Sequence, residues 1–216
     1  MKILLTGFKP FGNESCNPSW EAVKLVPESL SGASIIKLEL PTVFGKATEV
    51  LYQTIESEHP DIVLNLGQAG GRAGLSLERV AINIADARIP DNEGNQPIDE
   101  PIRADGAPAY FSTLPLKEMA LKMSQAGYLV GISNTAGTFV CNQIMYDVHY
   151  LIDKQYNQMK AGFIHVPYNH QQVDEKRDVP SMSNHDMSQA LVVGLERLIE
   201  LKGEKSGEIL LGGSEH

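Results

Sequence analysis

The chain has 216 residues, enough for one compact domain with a single sizeable core. Its composition, 42% apolar and 21% charged, is that of an ordinary globular protein. A formal net charge of -9 argues against nucleic acid or an anionic membrane as partner, because both require a basic face. No apolar stretch approaches the ~20 residues of a bilayer span. The opening apolar run stops at Gly7, too short for the core of a secretion signal. The two cysteines, Cys16 and Cys141, cannot build a disulfide framework and show no Cys-x-x-Cys spacing. They are read as free thiols of a reducing, cytoplasmic compartment.

Residues 2–6 read as a buried strand. Asn17 and Pro18 then open a helix over 18–26, with Asn17 as N-cap and Pro18 at the first helical position. A strand at 34–40 stops at Pro41, a helix follows at 45–58, and 62–66 is a second buried strand. Residues 75–83 alternate as a strand that sets Glu78, Val80 and Ile82 on one face. Residues 86–112 break the rhythm. They are polar and rich in Pro, Gly and Asp, and fit a lid, a subunit contact or a flexible insertion. A helix at 115–125, a strand at 128–133 and a helix from about Cys141 come next. In that helix Ile144, Val148, Leu151 and Ile152 share a face. A strand at 162–166 and a helix at 186–201 complete the pattern. The near-continuous apolar runs at 2–6, 62–66, 128–133 and 162–166 imply central strands covered on both faces. The alternation implies one α/β domain over 1–203 with a mostly parallel sheet. The Gly-rich tail, 204–216, reads as mobile, whether native or left by expression.

Within this frame Cys141 stands out. It ends the small-residue turn Ser133-Asn134-Thr135-Ala136-Gly137-Thr138-Phe139-Val140 and begins a helix. A thiol there feels the positive end of the helix dipole, which lowers its pKa, and the unpaired first-turn amides can bind an oxyanion. The alternative is a buried structural cysteine. Among six histidines, His165 alone sits late in an apolar strand, just before Pro167; His149 lies about two helical turns beyond Cys141 and cannot reach back to it. Glu78 on an apolar face either pairs with that histidine, fixing its tautomer, or lies in water on an edge strand. No His-x-x-x-His or His-Glu-x-x-His spacing suggests a metal.

Several motifs in order resemble the pyroglutamyl peptidase I family of cysteine peptidases. They are Leu5-Thr6-Gly7-Phe8-Lys9-Pro10-Phe11-Gly12 with Asn17-Pro18-Ser19-Trp20, then Leu77 to Asn83, then Ser133 to Asn142, and Phe163-Ile164-His165-Val166-Pro167. The likeness runs from Met1 to about Leu201. It implies a Cys141–His165–Glu78 triad, an open α/β/α sandwich of the phosphorylase/hydrolase-like kind, a homotetramer or homodimer, and no cofactor. The implied substrates are peptides with an N-terminal pyroglutamyl residue. The family pattern suggests Phe8, Phe11 and Phe139 as walls of an apolar slot for the lactam. Gln68, after the strand at 62–66, and Asn17 are further candidates for contact with the ring. Two other readings are kept: phosphorolysis of nucleosides on a shared fold, and a non-catalytic small-molecule binder.

Overall fold

A seven-stranded sheet organises the computed structural model, which describes residues 1–174 and 176–205. In chain order the elements are β1 (Lys2–Phe8), α1 (Pro18–Leu25), β2 (Ser29–Leu30), β3 (Ala33–Leu40), α2 (Lys46–Glu58), β4 (Ile62–Gln68), β5 (Leu75–Glu78), β6 (Val80–Ile82), β7 (Ala109–Phe111), α3 (Leu116–Gln125), β8 (Val130–Ser133), α4 (Val140–Lys154), β9 (Lys160–Val166), a 3-10 turn (His170–Val173) and α5 (Asn184–Glu200). The strand order is β2-β3-β1-β4-β9-β5-β8. Within this sheet only the β2–β3 and β5–β9 pairs are antiparallel among the described residues.

The central strands are mostly apolar because both faces are covered, and the buried Thr6 of β1 donates to Asn65 of β4 at 2.8 Å. Ile3, Leu5, Leu64 and Leu66 pack with Ala22 and Val23 of α1, Met119 and Met123 of α3, and Leu191 and Leu195 of α5. Leu4 and Val63 point the other way, onto Leu51 and Ile55 of α2 and Ile144 and Val148 of α4. Successive residues of a strand therefore serve opposite helical layers, each buried side chain contributing ~1.5–3 kcal/mol. The expected α/β/α sandwich with a mostly parallel sheet is what forms. The Asn17 side chain caps α1 by accepting from the Ser19 amide at 3.1 Å, and Pro18 opens the helix. No helix among the described residues is long and apolar enough to cross a membrane.

Two expectations are corrected. The run at 128–133 reads as a central strand, but β8 is an edge strand, with Leu129 59% exposed. Val130 and Ile132 pack toward α3 on one side only, and an apolar run does not by itself report how many faces are covered. Residues 75–83 are not one strand. The chain leaves the main sheet at Arg79, whose amide donates to the Ser133 carbonyl at 2.8 Å, and β6 then pairs with β7 in a separate ribbon. Glu78 is therefore fully buried while Val80 and Ile82 are half-buried, rather than sharing a face with it.

Residues 86–112 are tied down along their length. Asn83 exchanges hydrogen bonds with the Arg103 backbone, Arg103 Nε meets Asp147 of α4 at 2.7 Å, and Tyr146 donates to the Ala107 carbonyl at 2.6 Å. The segment supplies β7 and braces α4. The portion of the tail beyond residue 205 lies outside the described residues.

Candidate active site

The carboxyl edge of the sheet gathers the site. Gly67 and Gln68 end β4, and His165 comes at the end of β9, paired in register with Gly67. β5 runs antiparallel to β9 with Ser76 opposite His165 and Glu78 opposite Phe163. Glu78 thus reaches His165 on the diagonal, within the span of two long side chains. Cys141 is the second residue of α4, whose N-cap, Phe139, offers no side-chain cap, so the first-turn amides have no intrahelical carbonyl to bond. The helix seats its thiol against the sheet at Gly67. A Cβ on that glycine would lie 2.6 Å from Cys141 Sγ and 2.8 Å from the Phe163 ring.

Glu78 is 0% exposed and His165 4%. His165 Nδ1 lies 2.8 Å from Glu78 Oε1, and the same oxygen accepts from Arg72 Nη1 at 2.6 Å. Burial alone would raise the Glu78 pKa, but hydrogen bonds and the His165 charge interaction hold it below the usual carboxylate value. The Ser133 hydroxyl beside it is directed to the Thr135 carbonyl at 3.1 Å, which leaves His165 and Arg72 as the partners that matter. Glu78 Oε2 is buried without a hydrogen bond among the described residues. Burial pushes the His165 pKa below its ordinary value, and Glu78 restores only part of the loss. At neutral pH the imidazole is therefore neutral. The carboxylate accepts from Nδ1–H and so fixes the tautomer that leaves Nε2 as a base.

Burial pushes the Cys141 thiol up to about 12, and the Glu78 charge adds to the rise while Arg72 opposes it. This corrects the expectation of a lowered thiol pKa. The helix terminus supplies roughly half a charge, which does not outweigh the protein packed around the half-buried thiol and the carboxylate beside it. The resting site holds a thiol, a neutral imidazole and a carboxylate–guanidinium pair.

These groups open into a cleft of ≈ 270 Å³ that Phe8, Phe11, Asn17, Gln68, Arg72, Phe139, Cys141 and His165 help to line. Phe139 stacks at a tilt on Phe11 (6.1 Å between centroids) and edge-on to Phe44 (5.2 Å), so one wall is aromatic. Every site residue expected from the sequence is thus on this cleft or directly behind it. Their commitments differ. Phe8 is also part of the core under α2 and α4. Asn17 spends its oxygen on Ser19 and its nitrogen on the Lys9 carbonyl, the helix-capping use of that side chain. No residue of 86–112 is among those lining the cleft. His149 is buried at the far side of α4 against the Met145 and Ala161 carbonyls.

Arg72 and Asn142 escaped the sequence reading. Arg72 closes the glycine-rich turn after β4, and a single arginine at the carboxyl edge of a central strand was the only signal for it. Asn142, beside the cysteine, has no exposed surface and ties α4 to the chain after β5, bonding the Ile82 amide and the Ile82 and Ile84 carbonyls at 2.9–3.0 Å. Its position inside the cysteine motif gives no hint of this role.

Comparison with known proteins gives one consistent result. The pyroglutamyl peptidase family profile matches residues 1–201. A pyrrolidone-carboxylate peptidase of Clostridium perfringens is 55% identical over 199 residues, covering 92% of this chain and 93% of the relative. One from Streptococcus pyogenes is 53% identical over all 216 residues and 100% of both chains, so the alignment includes the tail. The crystal structure of Bacillus amyloliquefaciens pyroglutamyl peptidase I superposes with a TM-score of 0.90 at 42% identity, covering 94% of this chain and 98% of that one. The pyrrolidone carboxyl peptidase of Thermococcus litoralis gives 0.92 at 36% identity, with 97% and 99% covered. With its fold and nearly its whole length matched, the chain belongs to the pyroglutamyl peptidase family of cysteine peptidases.

Proposed function

We propose that this protein hydrolyses the amide bond after an N-terminal pyroglutamyl residue, with Cys141 as nucleophile, His165 as base and then acid, and Glu78 as the carboxylate that orients His165. The observation that carries the reading is the Glu78–His165 pair, buried and in the reactive tautomer, opening on the same aromatic cleft as a thiol at a helix N-terminus. As the pyroglutamyl carbonyl meets Sγ, the thiol proton passes to His165 Nε2 and a carbon–sulfur bond forms. The imidazolium is held by Glu78, and the oxyanion meets the free amides of the first turn of α4. Collapse breaks the carbon–nitrogen bond, and His165 returns the proton to the leaving amine. Water, deprotonated by His165, then hydrolyses the thioester and releases pyroglutamate. With a thiol pKa of about 12, charge separates only as the carbonyl is attacked.

The cleft suits a small flat lactam. Phe11 and Phe139 supply apolar walls, with Phe8 behind them, and Gln68 supplies an amide edge. An N-terminal ammonium would be desolvated here without a counter-charge, since Glu78 already holds Arg72 and His165. Two free thiols support residence in a reducing cytoplasm, and the exposed Phe111, Ile98 and Leu129 support a homo-oligomer, dimer or tetramer. Residues 1–203 would act as one catalytic domain. The test is a fluorogenic L-pyroglutamyl amide beside the matching L-prolyl amide under reducing conditions, with Cys141→Ser in parallel. Release from the pyroglutamyl substrate alone, abolished in the variant, is expected. No release by the folded, reduced protein would overturn the peptidase reading in favour of a binding protein.

A further inference from the structure

A hydrogen-bonded chain behind the cleft determines which end of the Gln68 amide can face a ligand. Gln172, 8% exposed, sits in the 3-10 turn after β9. Its Oε1 accepts from the Asn169 backbone amide at 3.1 Å, while the Gln172 amide donates to Asn169 Oδ1 at 3.0 Å. Its Nε2 faces the Cys16 carbonyl at 3.4 Å and the Gln68 side-chain oxygen at 3.0 Å. The Asn169 backbone amide can only donate and the Cys16 carbonyl can only accept, so the Gln172 amide has one allowed orientation. Gln68 must therefore present its Oε1 to Gln172. Its Nε2, which has no protein acceptor among the described residues, is left for the cleft that Gln68 lines.

Building on the peptidase reading above, we propose that Gln172 is a positioning residue that locks Gln68 with its NH2 toward the substrate, so that the slot offers a donor to the lactam carbonyl and discriminates pyroglutamyl from prolyl. Proline carries a methylene where the lactam has its carbonyl, so a prolyl ligand would leave the Gln68 donor unpaired in a dry pocket. A site built to hydrogen-bond one group rejects the analogue that lacks it. Without the lock, Gln68 can turn its oxygen to the cleft and meet the lactam carbonyl as a second acceptor.

Gln172→Glu tests this. A carboxylate cannot donate to Gln68, and it draws the Gln68 NH2 toward itself. The expected result is a KM for the pyroglutamyl amide raised ~tenfold, the value of one neutral hydrogen bond, with a much smaller change in kcat. The ratio of pyroglutamyl to prolyl kcat/KM should fall by a similar factor. In a Gln68→Ala background the same substitution should add nothing, an outcome that a merely structural role for Gln172 would not produce. If Gln172→Glu does not fold, judged by a thermal melt, Gln172→Met enters the same double-mutant cycle. Undiminished selectivity in the single variant, or a full effect persisting in the Gln68→Ala background, overturns the inference. Failure of the wild-type protein to cleave the pyroglutamyl amide instead overturns the peptidase reading itself.

Discussion

Replacing Glu78 with glutamine isolates the electrostatic share of catalysis. Glutamine keeps the shape, and its Oε1 can still accept from His165 Nδ1 and Arg72 Nη1. The amide nitrogen would then occupy the place of Oε2, which has no hydrogen-bond partner among the described residues, so none of them resists the orientation. The tautomer of His165 should survive, and what disappears is the negative charge. A carboxylate ~4 Å from an imidazolium interacts by about 4 kcal/mol at an effective dielectric constant near 20. Arg72, no longer neutralised, adds a repulsive charge. The amide dipole retains part of the stabilisation, so kcat/KM should fall by ~10²–10³, at 1.36 kcal/mol per tenfold. The assay is the pH profile of pyroglutamyl-amide hydrolysis. His165 already has a lowered pKa, and losing Glu78, which raises it, should move the acidic limb to still lower pH. An activity within threefold of wild type, or an acidic limb shifted upward, would refute the role assigned to this carboxylate.

Other expectations follow from the same contacts. Gly67→Ala should lower activity by ~10²-fold, slow alkylation of Cys141 and lower Tm, because the new Cβ meets Sγ at 2.6 Å, displacing the nucleophile, and the buried Phe163 ring at 2.8 Å, overpacking the core; unchanged alkylation would argue otherwise. Asn142→Ala should cost ~2–3 kcal/mol, since it strips partners from the Ile82 amide and the Ile82 and Ile84 carbonyls. For a chain of this size that is a fall in Tm of roughly 5–10 °C, and a fall under 2 °C would contradict the account. Acid should destabilise the protein in two stages. His149 and His165 have lowered native pKa values from burial, so the unfolded chain binds their protons first and stability declines as pH falls below ~6.5. Glu78 also has a lowered native pKa, so its contribution is present above ~4.3 and is lost as pH falls further, through the native value. Chemical denaturation at pH 7, 5.5 and 4 checks this, and a stability that rises on acidification would exclude it.

The sequence by itself determined the periodic features. Near-continuous apolar runs at β1, β4 and β9 revealed a sheet covered on both faces, and Asn17-Pro18 marked a helix start, because these depend on neighbours along the chain. It also singled out Cys141, His165 and Glu78, through a thiol at a strand-to-helix turn, a histidine in an apolar strand and a carboxylate on the apolar face of a strand. Tertiary structure alone decided the rest. Whether β8 is central or at the edge depends on what packs beside it, and the break at Arg79 depends on a carbonyl 54 positions away in sequence, Ser133, and on the pairing of β6 with β7. The Cys141 pKa was misjudged because the helix dipole is local and legible, whereas desolvation and the Glu78 field arise only when β5, β9 and α4 meet. Gln172 was invisible for the same reason: it acts through Gln68, a side chain brought to it by the fold, and long-range partners leave no pattern in a single sequence.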